Sequence, residues 1–542
     1  MNPDRSFEKI TIPNSTMERR TNRLPFPLSP WPPGDGFGTG MIDLGGLELT
    51  QVSTFTEICS IQGGVTFYNP SSIPTGFSML GSYAHTNVAA LSGWVLVGRD
   101  INSMGSLVQP LDYVLIWTSK NGGHFWQPIA PEGYGIVGIV VTSTADKPST
   151  SAVRCVRTDF MDDSEKVDEP SSVLSVDGVE IYRVRPSRRG VESPCVDVGT
   201  FACSTAVPIP THHSPIRCLK NKHFTRYSSM PTLRQIDAVL KEYSPLIYFH
   251  PNEKYLCSSV EFLFSSGAQL FHLENGSTSP ATQITTTGSN LPQGRNNSDG
   301  SYWISLPTDV NRRKKVIGGD LSSSDVYVHV KPMFGGTFTD LVFWMFYPFN
   351  GPATAKLLFL KNIPLGKIGQ HEGDWEHMTL RVSNFNGELG RVFFSQHSGG
   401  SWIDLPFLEF ADGTNKVVGY SALNGHAFYP TPGLVMQGTN AVGIRNDTAK
   451  GKSIDTGAIY KIISADYMDG IVTEPTWLNY YGKWGSKVTY RFTKQLRKII
   501  RLMPRRLRRR LKRLIQSIPS ELLGEEGPTG PKVKNNWTGP DF

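Results

Sequence analysis

The sequence predicts a mainly β protein in which an N-terminal β-prism-like domain is followed by an antiparallel β-sandwich and a basic amphipathic helix. Three observations carry that reading. Glycine (53) and proline (38) are plentiful and aromatics reach 11%, a composition suited to short strands joined by tight turns. Valine, threonine and tyrosine recur in short runs bounded by turn residues. The 542 residues exceed what one hydrophobic core holds, while 39% hydrophobic residues suffice for a core in each of two domains.

Residues 1–28 are polar and read as a flexible tail. Residues 29–162 read as the repeat domain. Ile73-Pro74-Thr75-Gly76-Phe77-Ser78-Met79-Leu80-Gly81 and Ala130-Pro131-Glu132-Gly133-Tyr134-Gly135-Ile136-Val137-Gly138 share one pattern, each followed by a short β run. The glycine-rich Pro33 to Gly40 is a looser start for a first unit. In all of these, Gly and Pro set turns and the aromatic fills a core. Residues 163–232, rich in Ser, Pro and Asp with little periodicity, read as a connector.

The second domain spans 233–493. Ile236, Val239 and Leu240 at helical spacing predict a helix over Leu233 to Tyr243. Thr285 to Gly300 reads as an exposed loop. Strands are expected at Val326 to Val330, Leu341 to Tyr347, His377 to Val382 and Arg391 to Ser395, with Asn386-Gly387 as a type I′ hairpin turn. Residues 494–542 hold the basic helix and a C-terminal tail.

The net charge of +7 is local, because Lys494 to Arg513 carries eleven of the 54 basic residues. Nucleic-acid binding by the whole surface is therefore not expected, whereas local contact with an anionic membrane is. Apolar residues at steps of three or four, interrupted at Pro504, leave Arg505, Arg506, Arg508, Arg509 and Arg510 as the membrane-contact candidates. No stretch approaches the roughly 20 apolar residues of a spanning helix, and the opening lacks a secretory apolar core. A cytoplasmic protein, peripheral to membranes, is expected. The six cysteines (Cys59, Cys155, Cys195, Cys203, Cys218 and Cys257) are too sparse for a disulfide scaffold and are expected reduced.

The densest polar constellation is Gly369-Gln370-His371-Glu372-Gly373-Asp374-Trp375-Glu376-His377. Strand alternation places Glu376 on the side of Met378, Leu380 and Val382, where a carboxylate needs a donor, a cation or a metal. With His371 and Asp374 on the preceding turn, the set suits a hard divalent ion, Mg²⁺, Ca²⁺ or Mn²⁺. The alternative is a structural turn, with Asp374 capping backbone amides and Glu376 paired to an arginine such as Arg391. His397 and His426 are second-rank candidates for the same cleft. Ser398 beside His397 and Asp404 suggests a hydrolytic triad only weakly, because no nucleophile elbow frames the serine.

Together with Tyr347-Pro348, the run from Phe394 to Gly400, Gly443-Ile444-Arg445-Asn446-Asp447-Thr448-Ala449 and Gly524 to Pro531, these motifs resemble the plant proteins called vacuolar protein sorting-associated protein 62, from about Pro27 onward. That likeness implies a trafficking role without a biochemical activity. The N-terminal repeats, ending in Val153-Arg154-Cys155-Val156-Arg157, are similar to the β-prism domain of a multivesicular-body sorting subunit, which implies contact with acidic phospholipids. The second half resembles the necrosis-inducing proteins of plant pathogens, whose heptapeptide matches Gln370 to Glu376. The resemblance implies a divalent cation on His371, Asp374 and Glu376, with Asn350 where that family has a further acidic ligand, and a sphingolipid or glycan headgroup as partner. Gly373 replaces the second histidine of the heptapeptide, and the segment from Gly351 to Gln370 is longer than in the toxins. The leading expectation is a peripheral membrane protein that binds a lipid headgroup or glycan. A metal-dependent hydrolase with Glu376 or His397 as base and a membrane-permeabilising defence protein are the alternatives.

Overall fold

A computed structural model describes residues 18–21, 23–167, 173–205, 215–224, 229–357, 362–397, 399–439, 442–486, 508–509 and 527–541. The protein is mostly β, as its composition predicts, with short helices. It divides into two compact units. The first comprises 1–22, 43–187 and 197–220, and the second comprises 23–42, 188–196 and 221–542.

Three antiparallel sheets share one core in the first unit. One contains Thr54–Ile61, Val65–Pro70 and Tyr83–Thr86; the next Asp112–Thr118, His124–Ile129 and Val140–Thr142; the third Ser164–Lys166, Val173–Val176, Val179–Pro186 and Phe201–Thr205. Each sheet sends one phenylalanine to the centre. Ring centroids lie 4.7 Å apart for Phe67 and Phe125, 5.1 Å for Phe67 and Phe201, and 6.5 Å for Phe125 and Phe201. All three are almost wholly buried, which stabilises the unit by about 1.5–3 kcal/mol per ring. The two sequence repeats meet at their last glycines: a Cβ on Gly81 would lie 2.8 Å from Cα of Gly138, and Ser82 N donates to Ile139 O at 2.8 Å. Only glycine permits that approach.

Two sequence expectations change here. The third sheet is built from the stretch expected to be a connector, where Val179, Ile181 and Val184 are buried along one strand. Its alternation is short and flanked by Ser, Pro and Asp, so composition masks it. Pro33 to Gly40 does not open a repeat. It belongs to the second unit, where Phe37 is buried beside a helix, Gly38 N and Gly40 N donate to Asn384 O and Phe385 O, and Trp31 Nε1 donates to Asn386 O.

The second unit is organised on a six-stranded sheet. Its strands in chain order are β1 (Val326–Met333), β2 (Phe338–Asn350), β3 (His371–Ser383), β4 (Leu389–Gln396), β5 (Gly399–Asp404) and β6 (Tyr460–Ala465). In space they run β5-β4-β3-β2-β1-β6, antiparallel except for the β1–β6 pair. The predicted strands fall within β1 to β4. The β3–β4 hairpin exists, but its turn is wider than a two-residue I′ turn: Gly387 N donates to Ser383 O, Ser383 N donates to Glu388 O, and of the pair only Gly387 has positive φ.

Both faces of this sheet are covered. On the first, Val328, Met345, Tyr347, Met378 and Leu380 pack against helix α1 (Leu233–Tyr243) and the strands Leu246–Phe249 and Val418–Ser421. Helix α1 keeps both predicted ends because Thr232 and Gln235 form a capping box and Ile236, Val239 and Leu240 form its buried stripe. On the second face, Tyr327, Trp344, Phe346 and Trp375 pack against α2 (Val260–Ser265), α3 (Val310–Ile317) and Trp477, Trp484 and Trp537.

Candidate functional site

Gly373 determines how the start of β3 is used. Its φ of +67° is left-handed, and a Cβ there would lie 2.2 Å from the Trp484 carbonyl oxygen, so a side chain is excluded by conformation and by space. This residue interrupts the strand's alternation. Glu372 and Trp375, three positions apart, both serve the second face. Glu372 pairs with Arg313 and accepts from Ser305 Oγ at 2.7 Å, while Trp375 joins the tryptophan cluster. Asp374 and Glu376 stay with the first face, and the His371 imidazole is close enough to act on Asp374.

Asp374 and Glu376 are buried, as is His426, which is fully enclosed. His426 Nδ1 lies 3.1 Å from Asp374 Oδ2, and its ring stacks on Tyr347 at 3.8 Å. Burial opposes the charged form of Asp374, yet the His426 hydrogen bond and the adjacent His371 hold its carboxyl below the usual range. Glu376 accepts from Ser395 Oγ, which in turn accepts from His377 N at 3.0 Å. Tyr347 Oη meets Ser421 Oγ at 3.2 Å. Burial, with the charge of Glu376 adding, pushes the Tyr429 hydroxyl up. His371 Nδ1 lies 2.6 Å from Gly373 O.

His397 Nε2 lies 3.2 Å from Asn446 Oδ1. His397, Asn424 and His426 all have left-handed backbones, with φ of 59°, 69° and 59°. Such strain in residues with a Cβ costs on the order of 1–3 kcal/mol each and concentrates at functional sites. Asn350 donates through Nδ2 to Gly369 O at 2.6 Å and to Gly351 O at 3.2 Å, tying the loop before β3 to the end of β2. His426 Nε2 and Asn446 Nδ2 are buried with no hydrogen-bond partner among the described residues.

His371, Asp374, Glu376 and His426 are thus brought into one neighbourhood, with His397 close by: a Cβ on Gly425 would lie 3.5 Å from its Cε1. The arrangement differs from the turn-capping alternative. Asp374 engages His426, and Arg391 pairs with Asp404, which also takes Asp404 out of a triad with His397. Ser398 lies outside the described residues, as do Arg505, Arg506 and Arg510. Ser421 and Tyr429 went unnoticed in the sequence because nothing local marks them; Tyr347, Ser395 and Asn446 sat in quoted motifs without an assigned role. The donors are of the types a hard divalent cation takes. Their present commitments do not form such a site: among the described residues no three His, Cys, Asp or Glu side chains are arranged to hold a metal ion.

The family described as vacuolar protein sorting-associated protein 62 matches residues 18–541. The chain belongs to that family. The yeast protein of the same description, from Saccharomyces cerevisiae, is 25% identical over 281 residues, covering 45% of this chain and 58% of the yeast protein. The match therefore spans less than two thirds of that relative. Among solved structures, the chain is similar to GNIP1Aa from Chromobacterium piscinae, with 17% identity and a TM-score of 0.28 over 37% of this chain and 40% of that one. It is also similar to NLPPya in complex with glucosamine, with 13% identity and a TM-score of 0.23 over 49% and 88%. The Necrosis and Ethylene inducing Protein 2 of the agent of cocoa's Witches Broom disease aligns with 14% identity and a TM-score of 0.19 over 36% and 67%. In this member of the vacuolar protein sorting-associated protein 62 family, no helix among the described residues is long and apolar enough to cross a membrane.

Proposed function

We propose that this chain is a peripheral membrane-trafficking protein whose second unit binds a polar lipid headgroup or glycan at the Asp374–Glu376 cluster. The observation that supports this reading is the combination of two buried carboxylates on an otherwise apolar sheet face with His426 Nε2 and Asn446 Nδ2 left unpartnered. Leaving such groups unsatisfied costs about 1–3 kcal/mol each, and a polyol supplies what they lack. Its hydroxyls donate to carboxylates and accept from the asparagine amide. The acidic character of the cluster favours a hydroxyl- or ammonium-bearing group over a phosphate. The family description supports a role in vacuolar sorting. The basic stretch from Lys494 to Arg513 supplies attraction to anionic bilayers, about 1 kcal/mol for each residue near the surface.

A divalent cation is the second reading, favoured by the closeness of His371 to Asp374. It requires Asp374 to exchange His426 for the ion. Flotation with liposomes of defined headgroup and a glycan array, each with and without chelator, test both readings. Binding that survives chelator and is lost in Asp374→Asn and Glu376→Gln supports the direct site. Chelator-sensitive binding, with calorimetric heat on adding Ca²⁺, Mg²⁺ or Mn²⁺, supports the cation. Turnover of the bound ligand would replace binding by hydrolysis, and dye release from the liposomes would replace it by permeabilisation.

A further inference from the structure

The second face of the central sheet carries charge that a core built for stability alone does not need. His329 and Lys331 on β1 are fully enclosed, and His377 on β3 is nearly so. What covers them is the segment 531–541, which contributes a single 3-10 turn and no strand to the sheet. Its contacts are those by which a groove holds a peptide. Lys331 Nζ donates to the main-chain carbonyls of Asn536 at 2.7 Å and Gly539 at 3.0 Å. Trp537 stacks on His329 at 3.8 Å. The Asp541 carboxylate meets His377 Nε2 at 2.9 Å and accepts from Asn536 Nδ2 at 2.7 Å.

Reading of carbonyls by a lysine, of one indole by a flat ring and of one carboxylate by an imidazole fixes a sequence pattern. Side chains that merely fill a core require none of it, and well-packed hydrophobic residues in place of Lys331 would be as stable or more so. The polar surface also exceeds what the segment satisfies: His329 Nδ1 is buried with no hydrogen-bond partner, its Nε2 being taken by Asp466. Asp541, although buried, is held charged below the usual carboxylate range by His377 and Lys331.

We propose that this face is a peptide-binding groove specific for a segment of the form Trp-x-x-x-Asp, and that residues 531–541 occupy it in cis as an exchangeable ligand. A second copy of this chain supplies the same segment, so the groove is also a route to exchange between copies.

The test uses the full chain with a protease site placed between Ile518 and Glu521, cut after folding. The released fragment is expected to stay bound through gel filtration. A labelled peptide spanning Pro528 to Phe542, in excess, is expected to replace it with the thermal midpoint unchanged. Peptides carrying Trp537→Ala or Asp541→Asn should compete about tenfold less well. Because these changes lie in the competitor, the receptor's own folding is not at issue. Label that enters no better than a scrambled peptide, or enters only at temperatures where the sheet unfolds, would overturn the proposal and make the segment a fixed part of the core. Variant peptides that compete as well as the unaltered one would overturn the assigned specificity.

Discussion

The two faces of the central sheet are built by the same strand and do opposite things with charge. Along β3, Asp374 and Glu376 turn to the first face, while Trp375 and His377 turn to the second. The first face is therefore acidic and offers unpartnered atoms at His426 and Asn446; the second presents His329, Lys331 and His377 and already holds a carboxylate. A strand whose period is two can serve two sites of opposite sign within four residues. The first unit offers no such division: three of its sheets converge on aromatic rings, and the centre they share is apolar.

That contrast sets the order of the expected effects. The largest belongs to the apolar centre, where Phe67→Ala removes the ring that contacts both others. We expect a loss of about 3–5 kcal/mol in urea unfolding, confined to the first transition if the units unfold separately. A loss below about 1 kcal/mol would mean that the three rings do not form one core.

Next comes the residue that distributes β3 between the faces. Gly373→Ala adds a Cβ against the Trp484 carbonyl in a left-handed conformation, and should destabilise the second unit by about 2–3 kcal/mol. If it does not, the interruption of alternation is not set at this position. On the acidic face, Asp374→Asn keeps the shape and removes the charge that His426 meets. Unfolding stability should fall by about 1–2 kcal/mol, with headgroup binding lost. Unaltered binding would remove the carboxylate from the site.

The smallest expected effect is a pH dependence of the second face. Burial lowers the pKa of His329, opposed by Asp466. The unfolded chain then takes up a proton that the folded chain does not, so stability is full above the ordinary histidine value, about 6.5, and falls as pH drops below it. The thermal midpoint should decline between pH 7 and pH 5, and His329→Gln should flatten that slope. An equal slope in the variant would assign it elsewhere.

These differences also explain what could be read from sequence. Helix α1 was legible to the residue because its cap and its apolar spacing are both local. The strands β1 to β4 were legible because their alternation is long. The cluster at His371, Asp374 and Glu376 stood out as a polar motif on an apolar strand, while His426, 52 positions away, was only a second-rank candidate for the same cleft, because no local pattern carries a contact of that range. The third sheet of the first unit was hidden by its composition. The segment 531–541 was read as a tail because it has no periodicity, and it has none because its contacts run through its main chain, one indole and one carboxylate.

The junction at Trp484 has a mechanical meaning. Trp484 N donates to Pro528 O at 2.7 Å; a Cβ on Gly527 would lie 2.0 Å from Gly485 O, and one on Gly485 would lie 2.0 Å from Glu372 O. Both ends of the basic stretch are thus moored at one point, against the backbone beside Gly373. The backbone that fixes Gly373, and through it the aim of Asp374, is therefore tied to the chain on both sides of residues 487–526, so that a side chain added at Gly485 or Gly527 would be felt at the acidic site.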